Sequence, residues 1–265
     1  MRIVNAIESE DGTKKFLVEL DDKKHIECVV IFHKRTVCAC VSSQVGCAMN
    51  CSFCATGKMG FARSLSADEI VGQLDLMEED ICRKITNVVF MGMGEPLANF
   101  DAVVDAISKM NGRGLSWKKI TVSTVGLPEK IIELGKRTKC RLAVSLHAAN
   151  DSLRSNLVPS NRGIDGILRA CLEFPANKHN PIMIEYILIK GVNDSPDELA
   201  ELLKRLPFVM VNLIPCNPVG SFERPSDDAV LAFKQHLIDA GFKTIVRTQK
   251  GVDSSAACGM LAQHL

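Results

Sequence analysis

The sequence predicts an α/β protein with a parallel sheet, because buried strands and capped helices alternate along most of the chain. Apolar runs rich in branched residues recur after a cysteine-rich segment, with helical stretches between them, about six times. Such alternation is typical of an open doubly wound sheet or of a complete or partial barrel, and both place ligand sites at the carboxyl ends of the strands. The length of 265 residues suits one main domain.

The first predicted element is a β-hairpin that precedes the main body. FLVEL and HIECVVIF alternate apolar and polar residues on either side of a DDKK turn at residues 21–24. After it, the period changes to continuous apolar runs suited to strands buried on both faces. The predicted strands are ITNVVFMG, KKITVSTVG, CRLAVSLHA, PIMIEYILIKG, FVMVNLIPCN and FKTIVRT.

Three helices carry recognisable start signals. SADEIVGQLDLMEED opens with Ser66 and has Glu69 three residues later, which predicts a capping box. SPDELAELLKRL pairs Ser195 with Glu198 in the same way and places a proline at its first helical position. SDDAVLAFKQHLIDAG begins after Ser226 and closes on a glycine.

Composition predicts a cytoplasmic protein and leaves the partner open. No run of about eighteen apolar residues occurs, and the N-terminus lacks the features of a secretory signal. Eleven cysteines, an odd number, argue against a disulfide framework and for metal binding or thiol chemistry. The net charge of +1 does not indicate a polyanion-binding surface, and we expect Lys243, Arg247 and Lys250 on a solvated face.

The cysteine-rich segment predicts a metal centre. Cys47, Cys51 and Cys54 form a CxxxCxxC pattern with Gly46 beside it, so a short loop can direct three thiolates at one point. A [4Fe-4S] cluster held by three cysteines leaves one iron open to a small molecule. The spacing also allows a zinc site that borrows Cys38 or Cys40, or a plain electron carrier.

Polar and small residues follow several predicted strands at their carboxyl ends. Because parallel strands end at the same edge of a sheet, these residues are expected to ring one mouth. They are Gly92, Gly94, Glu95, Ser123, Thr124, Ser145, His147 and Asn217.

Seven segments together carry a resemblance that spans the chain from Glu27 to Leu261. They are CVSSQVGCAMNCSFCATGKMGF, VVFMGMGEPLANFD, ITVSTVGL, LAVSLHAANDSLR, IEYILIKGVND, VNLIPCNP and DSSAACGML, and they resemble the RlmN/Cfr family of the radical S-adenosylmethionine (SAM) superfamily. The resemblance implies a partial (βα)6 TIM-like barrel of the radical SAM type over residues 36–265 with a C-terminal catalytic loop. Residues 1–35 would form the hairpin extension, where family members usually carry a helical accessory domain before it.

The resemblance implies methylation of an adenine in ribosomal RNA, and in some members also of transfer RNA. The methylated atom is carbon 2, or carbon 8 in the Cfr branch, and MGMGEPL with Pro96 is more similar to the carbon 2 branch. An iron–sulfur electron carrier without methyl transfer is the alternative from another class. A flavodoxin or ferredoxin as electron donor, a monomeric state and no membrane association are also expected.

The same resemblance assigns cofactors and residue roles. Cys47, Cys51 and Cys54 would bind a [4Fe-4S] cluster whose open iron chelates SAM, from which a 5'-deoxyadenosyl radical is formed. Contacts to SAM would come from Gly94, Glu95, Ser123, Ser145, Leu146, His147 and Asn217.

Three further residues would carry the methyl chemistry. Cys258 would accept a methyl group from a first SAM and link its carbon to the adenine. Glu27 would take the proton from carbon 2, and Cys40 would attack the sulfur of Cys258 and release the base with formation of a disulfide. From alternation alone, Glu27 reads as a solvent-facing strand residue. Four other cysteines are expected to be packing residues: Cys28, Cys82, Cys140 and Cys171.

Overall fold

The structure is a computed structural model that describes residues 1–217 and 222–261. Pro218, the last residue of VNLIPCNP, lies outside the described residues. The strands are β1 (Arg2–Glu8), β2 (Lys14–Glu19), β3 (His25–Phe32), β4 (Val37–Cys40), β5 (Gln44–Gly46), β6 (Phe61–Ser64), β7 (Asn87–Phe90), β8 (Ile120–Thr124), β9 (Arg141–Ser145), β10 (Ile182–Leu188), β11 (Val209–Pro215) and β12 (Lys243–Val246). The helices are α1 (Ala55–Lys58), α2 (Ala67–Ile81), α3 (Phe100–Gly112), α4 (Pro128–Arg137), α5 (Asp151–Leu157), α6 (Ile164–Glu173), α7 (Pro196–Leu203) and α8 (Asp227–Asp239).

One ten-stranded sheet, in the order β1-β2-β3-β4-β7-β8-β9-β10-β11-β12, organises the described residues. In this sheet, strands β1 to β4 pair antiparallel and every later pair is parallel. Strands β5 and β6 form a separate two-stranded antiparallel sheet. Helices connect the parallel strands, so that strand–helix units run from β4 to α8 and β12 closes the series. The predicted α/β fold, a partial (βα)6 barrel, is confirmed.

The six predicted strands all form at their expected places. Their residues are mainly branched and apolar, and the inner strands β8 to β11 bury most of these side chains on both faces of the sheet. Helices pack on the outer face, where Ile131 and Leu134 of α4 and Ile167 of α6 belong to one continuous core. Within the described residues, no helix has both the length and the apolar character needed to cross a bilayer.

The N-terminal hairpin is present, but it is larger than the sequence pattern indicated. Strands β2 and β3 form the predicted pair, and β1 adds a third strand that the alternation did not reveal. Strand β1 is exposed along nearly its whole length, and its apolar residues Ile3, Val4, Ala6 and Ile7 do not alternate with polar ones, which explains why the pattern did not reveal it. Strand β3 pairs with β4, so the hairpin continues the barrel sheet, and the domain boundary at residue 35 stays a prediction.

All three helices begin where predicted, but the capping pair predicted for one of them was wrong. The backbone N–H of Glu69 donates to Ser66 Oγ at 3.1 Å, and Glu69 Oε2 accepts from the Ser66 N–H at 2.9 Å, which completes the capping box. Ser226 Oγ caps α8. Ser195 makes no side-chain cap, because Pro196 already fixes the first turn of α7 and Glu198 accepts from the Asn150 amide at 3.4 Å instead.

Of the four cysteines predicted to be packing residues, three are buried and one is exposed. Cys28, Cys140 and Cys171 are buried, which confirms their prediction. Cys82 is exposed, so its prediction was wrong: it follows α2 in a left-handed conformation with φ of 51° and ends the helix there.

Candidate active site

The cysteine loop, residues 47–54, lies between β5 and α1 and is fixed by a close backbone approach. Gly46 has a φ of +74°, and a Cβ there would lie 2.0 Å from the carbonyl oxygen of Gly60. The same oxygen accepts a hydrogen bond from the Cys47 N–H at 2.8 Å. Only glycine fits this approach, and it turns the chain so that Cys47 starts the loop.

The thiols of the cysteine loop lie close enough to influence one another. Burial, together with the charge of Cys54, raises the pKa of Cys47 to about 11. Burial also raises the pKa of Cys51, with added effects from Cys54 and Cys47. All eleven cysteines are free thiols.

The donor set of this loop fits an iron–sulfur cluster. Within the described part of the chain, no three His, Cys, Asp or Glu side chains converge on a point that could hold a single metal ion. A zinc site needs its ligands around one ion, whereas a cluster binds each thiolate through a different iron atom. Three neighbouring but separate thiols therefore suit the cluster better than the ion.

The C-terminal loop, residues 251–261, packs directly on the cysteine loop. The N–H of Ala55 donates to the carbonyl of Gly259 at 2.7 Å, and Thr56 Oγ1 donates to the carbonyl of Leu261 at 3.1 Å. Gly259 has a φ of +80°, and a Cβ there would lie 3.0 Å from the Phe53 carbonyl oxygen. Cys258 thereby lines the same cavity as Cys54, although more than two hundred residues separate them in sequence.

A second set of contacts ties the C-terminal loop to the N-terminal turn between β1 and β2. The hydroxyl groups of Ser9 and Ser254 lie 2.5 Å apart. The N–H of Glu10 donates to Asp253 Oδ2 at 3.0 Å, and the N–H of Gly251 donates to Asp11 Oδ2 at 3.0 Å. The two ends of the described chain therefore hold each other on one side of the barrel.

The mouth cavity opens at the carboxyl ends of the parallel strands. Its lining includes Cys54, Gly94, Glu95, Ser123, Ser145, His147, Arg247 and Cys258. Gly94 has a φ of +99°, and a Cβ there would lie 2.5 Å from the Gln44 side chain, so the strand end comes close to β5. The structure thus brings five of the seven predicted SAM-binding residues together around one cavity.

Glu95 is buried in this cavity and its carboxylate is already engaged. Its two oxygens accept hydrogen bonds from the backbone N–H groups of Leu97 and Val125, each at 2.9 Å. Burial nevertheless raises the pKa of the carboxyl. Each oxygen keeps lone pairs for another donor, so the side chain can still accept from an ammonium group.

His147 presents a neutral imidazole to the mouth cavity. Burial, aided by the positive charge of Arg154, lowers the pKa of His147 to about 3. Nδ1 accepts a hydrogen bond from the Ile187 N–H at 3.1 Å, so the ring proton is on Nε2, which can donate to a ligand. The ring also meets Phe53 of the cysteine loop edge-on, with centroids 4.7 Å apart.

Two predicted SAM-binding residues lie elsewhere. The side chain of Leu146 is fully buried in the core, and its N–H donates to the Glu185 carbonyl. Asn217 lines a neighbouring cavity and donates from Nδ2 to the Cys258 carbonyl at 2.9 Å. Asn217 Oδ1 accepts from the Gln249 amide at 2.7 Å, so its side chain holds the C-terminal loop.

The inner cavity, of about 450 Å³, shares part of its wall with the mouth cavity. Its lining includes Cys38, Glu185, Asn212, Arg247, Lys250 and Cys258. Glu185 and Asn212 face each other across β10 and β11, and Asn212 Nδ2 donates to Glu185 Oε2 at 2.9 Å. Cys258 and Arg247 line both cavities and therefore lie where the two cavities meet.

A further group of side chains, which we call the β4 face, consists of Lys15, Glu27, Cys38 and Cys40. Val29 pairs with Lys15 on one side and with Cys40 on the other, and alternation along β3 puts Glu27 on the same face as Val29. Lys15 Nζ lies 2.9 Å from Glu27 Oε1, and both side chains are only 4% exposed. The solvent-facing interpretation of Glu27 was therefore wrong.

Sequence reasoning missed three cations of this centre. Lys15 and Arg154 are almost fully buried, and Arg247, expected on a solvated face, is only 25% exposed in the cavity wall. Arg154 donates to the backbone carbonyls of Leu146, Ser145 and Val125 and so holds the ends of β8 and β9. Arg247 comes directly after β12, and that position at a strand end was the signal that could have identified it.

Comparison with known proteins shows which family this chain is similar to. The sequence model of the Radical SAM superfamily matches residues 41–203. A probable dual-specificity RNA methyltransferase RlmN of Thermotoga neapolitana is 46% identical over 261 residues, covering 95% of this chain and 76% of the relative. The dual-specificity RNA methyltransferase RlmN of Saccharophagus degradans is 46% identical over 280 residues, covering 98% of this chain and 70% of the relative.

The structural comparison agrees with these sequence matches. The crystal structure of a radical SAM methyltransferase from Sphaerobacter thermophilus superposes with a TM-score of 0.93 at 43% identity. The alignment covers 98% of this chain and 80% of the Sphaerobacter chain. The similarity therefore extends over the sheet, the cysteine loop and the C-terminal loop together.

Proposed function

Because the chain belongs to the radical SAM superfamily and, within it, to the RlmN family of dual-specificity RNA methyltransferases, we propose that it methylates carbon 2 of an adenine in ribosomal RNA, and also in transfer RNA. Carbon 2 lies between two ring nitrogens and is electron-poor, so it does not attack a methyl cation donor as an amine or oxygen would. A thiol that first carries the carbon solves this difficulty.

The position of Cys258 is the observation that carries the proposal. The C-terminal loop hydrogen-bonds to α1, directly after the cysteine loop. Asn217 holds the Cys258 carbonyl, and Cys258 lines both cavities. One cavity borders the cysteine loop and the other borders Cys38. An electron carrier would have no use for a thiol fixed between two cavities.

The radical SAM superfamily uses a [4Fe-4S] cluster and SAM. Here Cys47, Cys51 and Cys54 would hold the cluster, and when bound the two groups supply a transferable methyl group and a carbon-centred radical. Gly94, Glu95, Ser123, Ser145 and His147 would bind SAM: the Glu95 carboxylate as acceptor for its ammonium, and the His147 Nε2–H as donor. For Asn217 the role favoured here is to orient Cys258.

Three side chains would then perform the transfer. Cys258 carries the carbon and becomes linked to carbon 2 of the base. Glu27, held beside Lys15 on the β4 face, accepts the proton that leaves carbon 2. Cys40, on the same face, would attack the sulfur of Cys258: the S–S bond forms, the S–C bond breaks, and its electron pair stays with the released carbon. The unpaired electron that radical addition leaves on the base would pass to a one-electron acceptor, such as the oxidised flavodoxin or ferredoxin.

Two reductants complete the cycle. The resulting Cys40–Cys258 disulfide is transient and must be reduced by a dithiol, consistent with the free thiols of the structure. A flavodoxin or ferredoxin would deliver the single electron that the cluster needs.

Methyl mapping of RNA tests the proposal. Ribosomal and transfer RNA from cells with and without the gene are digested to nucleosides and compared by mass spectrometry against 2-methyladenosine and 8-methyladenosine standards. We expect 2-methyladenosine to be lost with the gene and restored by the wild-type copy but not by Cys258→Ala. Loss of 8-methyladenosine would instead assign the Cfr reaction, and unchanged RNA would contradict methyl transfer.

A further inference from the structure

Arg247 places a cation at the junction of the two cavities. Its N–H donates to the Leu213 carbonyl at 2.8 Å, which fixes the backbone just after β12. Its guanidinium lines the mouth cavity and the inner cavity, as does Cys258. The cation therefore faces the place where the methyl-carrying thiol must work.

The guanidinium is held in place without being neutralised. Nη1 lies 3.7 Å from Glu185 Oε2 and 3.6 Å from Met91 Sδ. A strong Arg–carboxylate pair is bidentate at about 2.7–2.9 Å, so the contact with Glu185 is loose. Glu185 Oε2 instead accepts from Asn212, and burial raises the pKa of the Glu185 carboxyl. Much of the positive charge is left for another anion.

Besides Glu185, the groups that this charge reaches are thiols. Cys258, which lines both cavities together with Arg247, has the largest interaction with the guanidinium, followed by Glu185 and then by Cys40 and Cys38. Burial raises the pKa of Cys38 to about 11 and raises that of Cys40 as well, while the charge of Arg247 opposes both shifts. Only a thiolate is nucleophilic, so a buried thiol needs such a cation to react.

We propose that Arg247 is a positioning residue that stabilises the thiolates of Cys258 and Cys40 in turn. The inference rests on the proposed function and adds a residue to it. In the first step the Cys258 thiolate attacks the methyl carbon of the sulfonium: the S–CH₃ bond forms, the CH₃–S⁺ bond breaks, and the electron pair goes to the departing thioether. The thiolate charge disappears in this step.

The loss of that charge releases the cation for the second thiol. Once Cys258 is a neutral thioether, the guanidinium faces Cys40 as the remaining thiolate of the pair. When Cys40 attacks, its charge passes with the electron pair to the released carbon, which takes a proton from solvent to complete the methyl group. One cation thus serves two nucleophiles that are never needed at the same time.

Other charged and titratable groups surround these thiols. On the strand side they are Lys15, Glu27, Cys28 and Cys38, and on the cavity side they are His33, Glu185 and Lys250. Lys15 is paired with Glu27 at 2.9 Å, and Lys250 Nζ lies 3.8 Å from Asp11 Oδ2. Lys250 is 30% exposed against 25% for Arg247 and lines the same inner cavity, which makes it a matched control.

Thiol reactivity measures the proposal without RNA. The full chain, reconstituted with its cluster and carrying Cys38→Ser to leave one thiol on that part of β4, is pulsed with methyl methanethiosulfonate between pH 6 and pH 10. Mass spectrometry then reports modification of Cys40 and Cys258 separately. In Arg247→Met we expect both midpoints to rise by about one pH unit, so that modification at neutral pH slows about tenfold.

Two further variants separate charge from structure. Arg247→Lys should restore most of the reactivity, and Lys250→Met should leave both midpoints unchanged. Folded Arg247→Met protein with wild-type midpoints at both cysteines would overturn the proposal, and so would an equal shift in Lys250→Met. Should Arg247→Met not fold, Arg247→Lys and Arg247→Gln give the same comparison.

The result is distinguishable from failure of the proposed function. A midpoint shift in a protein that leaves RNA unmethylated would keep the role of Arg247 in thiolate stabilisation and reject the RNA reaction. Normal RNA methylation with unshifted midpoints would keep the RNA reaction and reject the role of Arg247 in thiolate stabilisation.

Discussion

The cysteine loop and the β4 face both bring thiols to the centre of the barrel, but they are built in opposite ways. The cysteine loop places three thiols within eight consecutive residues, and its shape comes from a glycine approach and from contacts with the C-terminal loop. The β4 face is assembled across three strands, and a buried Lys15–Glu27 pair lies on it.

The difference follows from what each region is proposed to hold. A metal cluster brings its own positive charge and neutralises the thiolates that bind it, so the loop does not depend on a protein cation for this, although buried Arg154 lies within electrostatic range of Cys51. Thiols that must attack carbon or sulfur have no metal to activate them, and the protein supplies Arg247 nearby instead. Substitutions in the cysteine loop and on the β4 face should therefore have different effects on the protein.

The largest expected effect is loss of the cluster. The variant with Cys47, Cys51 and Cys54 all replaced by serine should bind no iron after anaerobic reconstitution and lose all methyl transfer, because serine hydroxyls are poor iron ligands. Its thermal midpoint should stay near that of the cluster-free wild type. Iron analysis and electron paramagnetic resonance provide the measurement, and retention of a full cluster would remove the assignment of the loop.

The next effect concerns the two thiols of the transfer. The double variant Cys38→Ala/Cys40→Ala should stall after carbon–carbon bond formation, because no nearby thiolate remains to attack Cys258. RNA should then stay covalently attached, visible as a nuclease-sensitive shift on a denaturing gel. Cys258→Ala is the control and should trap nothing. Normal turnover by the double variant would show that neither thiol resolves the adduct.

Breaking the buried Lys15–Glu27 ion pair tests the β4 face through its effect on the free energy of unfolding. Lys15→Met leaves the Glu27 carboxylate buried without its cation, which should cost about 3–5 kcal/mol in the free energy of unfolding. Lys15→Arg keeps the charge and should cost less. Denaturant titration of both variants gives the values, and a loss under about 1 kcal/mol in Lys15→Met would mean that Glu27 does not depend on this partner.

Two glycines provide a matched test of the cysteine loop. Gly46 and Gly60 both have positive φ, +74° and +76°, but only a Cβ on Gly46 would meet a neighbouring atom. Gly60→Ala should cost about 1–2 kcal/mol from the backbone alone. Gly46→Ala should cost about 1–3 kcal/mol more and lower iron occupancy, because the Cys47 turn must move. Equal costs would argue against the close approach.

A smaller effect is expected from pH. The pKa of His147 is lowered from 6.5 to about 3, so below pH 6.5 the unfolded chain binds a proton there that the folded protein does not. Stability is fully present above pH 6.5 and is lost as the pH falls, by about 1.4 kcal/mol at pH 5.5. His147→Gln should flatten this part of the profile. An identical slope in both proteins would place the protonation elsewhere.

Much of the fold followed from the sequence because its signals are local. Each parallel strand is a continuous apolar run, and the cap of α2 is written in residues three positions apart, so both were predicted correctly. The cysteine loop was identified as the proposed cluster site for the same reason, since its spacing is contained in CxxxCxxC. Strand β1 was missed because its apolar residues do not alternate with polar ones as they would in a half-buried strand.

The rest depended on contacts between distant segments. Lys15 faces Glu27 only because β2 and β3 pair in one register, and a shift by one residue would turn both side chains to the opposite face. Arg247 was predicted to be a solvated charge because a short basic run in the sequence does not show whether its side chains are exposed to solvent or line a cavity. Asn217 was predicted as a ligand contact, and only the path of the C-terminal loop shows what its amide binds.

The contacts between the N-terminal turn and the C-terminal loop also have a consequence for the order of synthesis. Ser9 and Ser254 are 245 residues apart, so this closure is among the most non-local in the chain. The strands that hold Lys15, Glu27 and Cys40 can pair while the ribosome is still making the remainder, because domains form from the N-terminus onward. Cys258 reaches its place only after the last segment has left the ribosome and the two ends have met. A chain whose C-terminal loop has not yet docked therefore presents the cysteine loop without Cys258, the proposed methyl carrier, and we expect the proposed reaction to begin only after that docking.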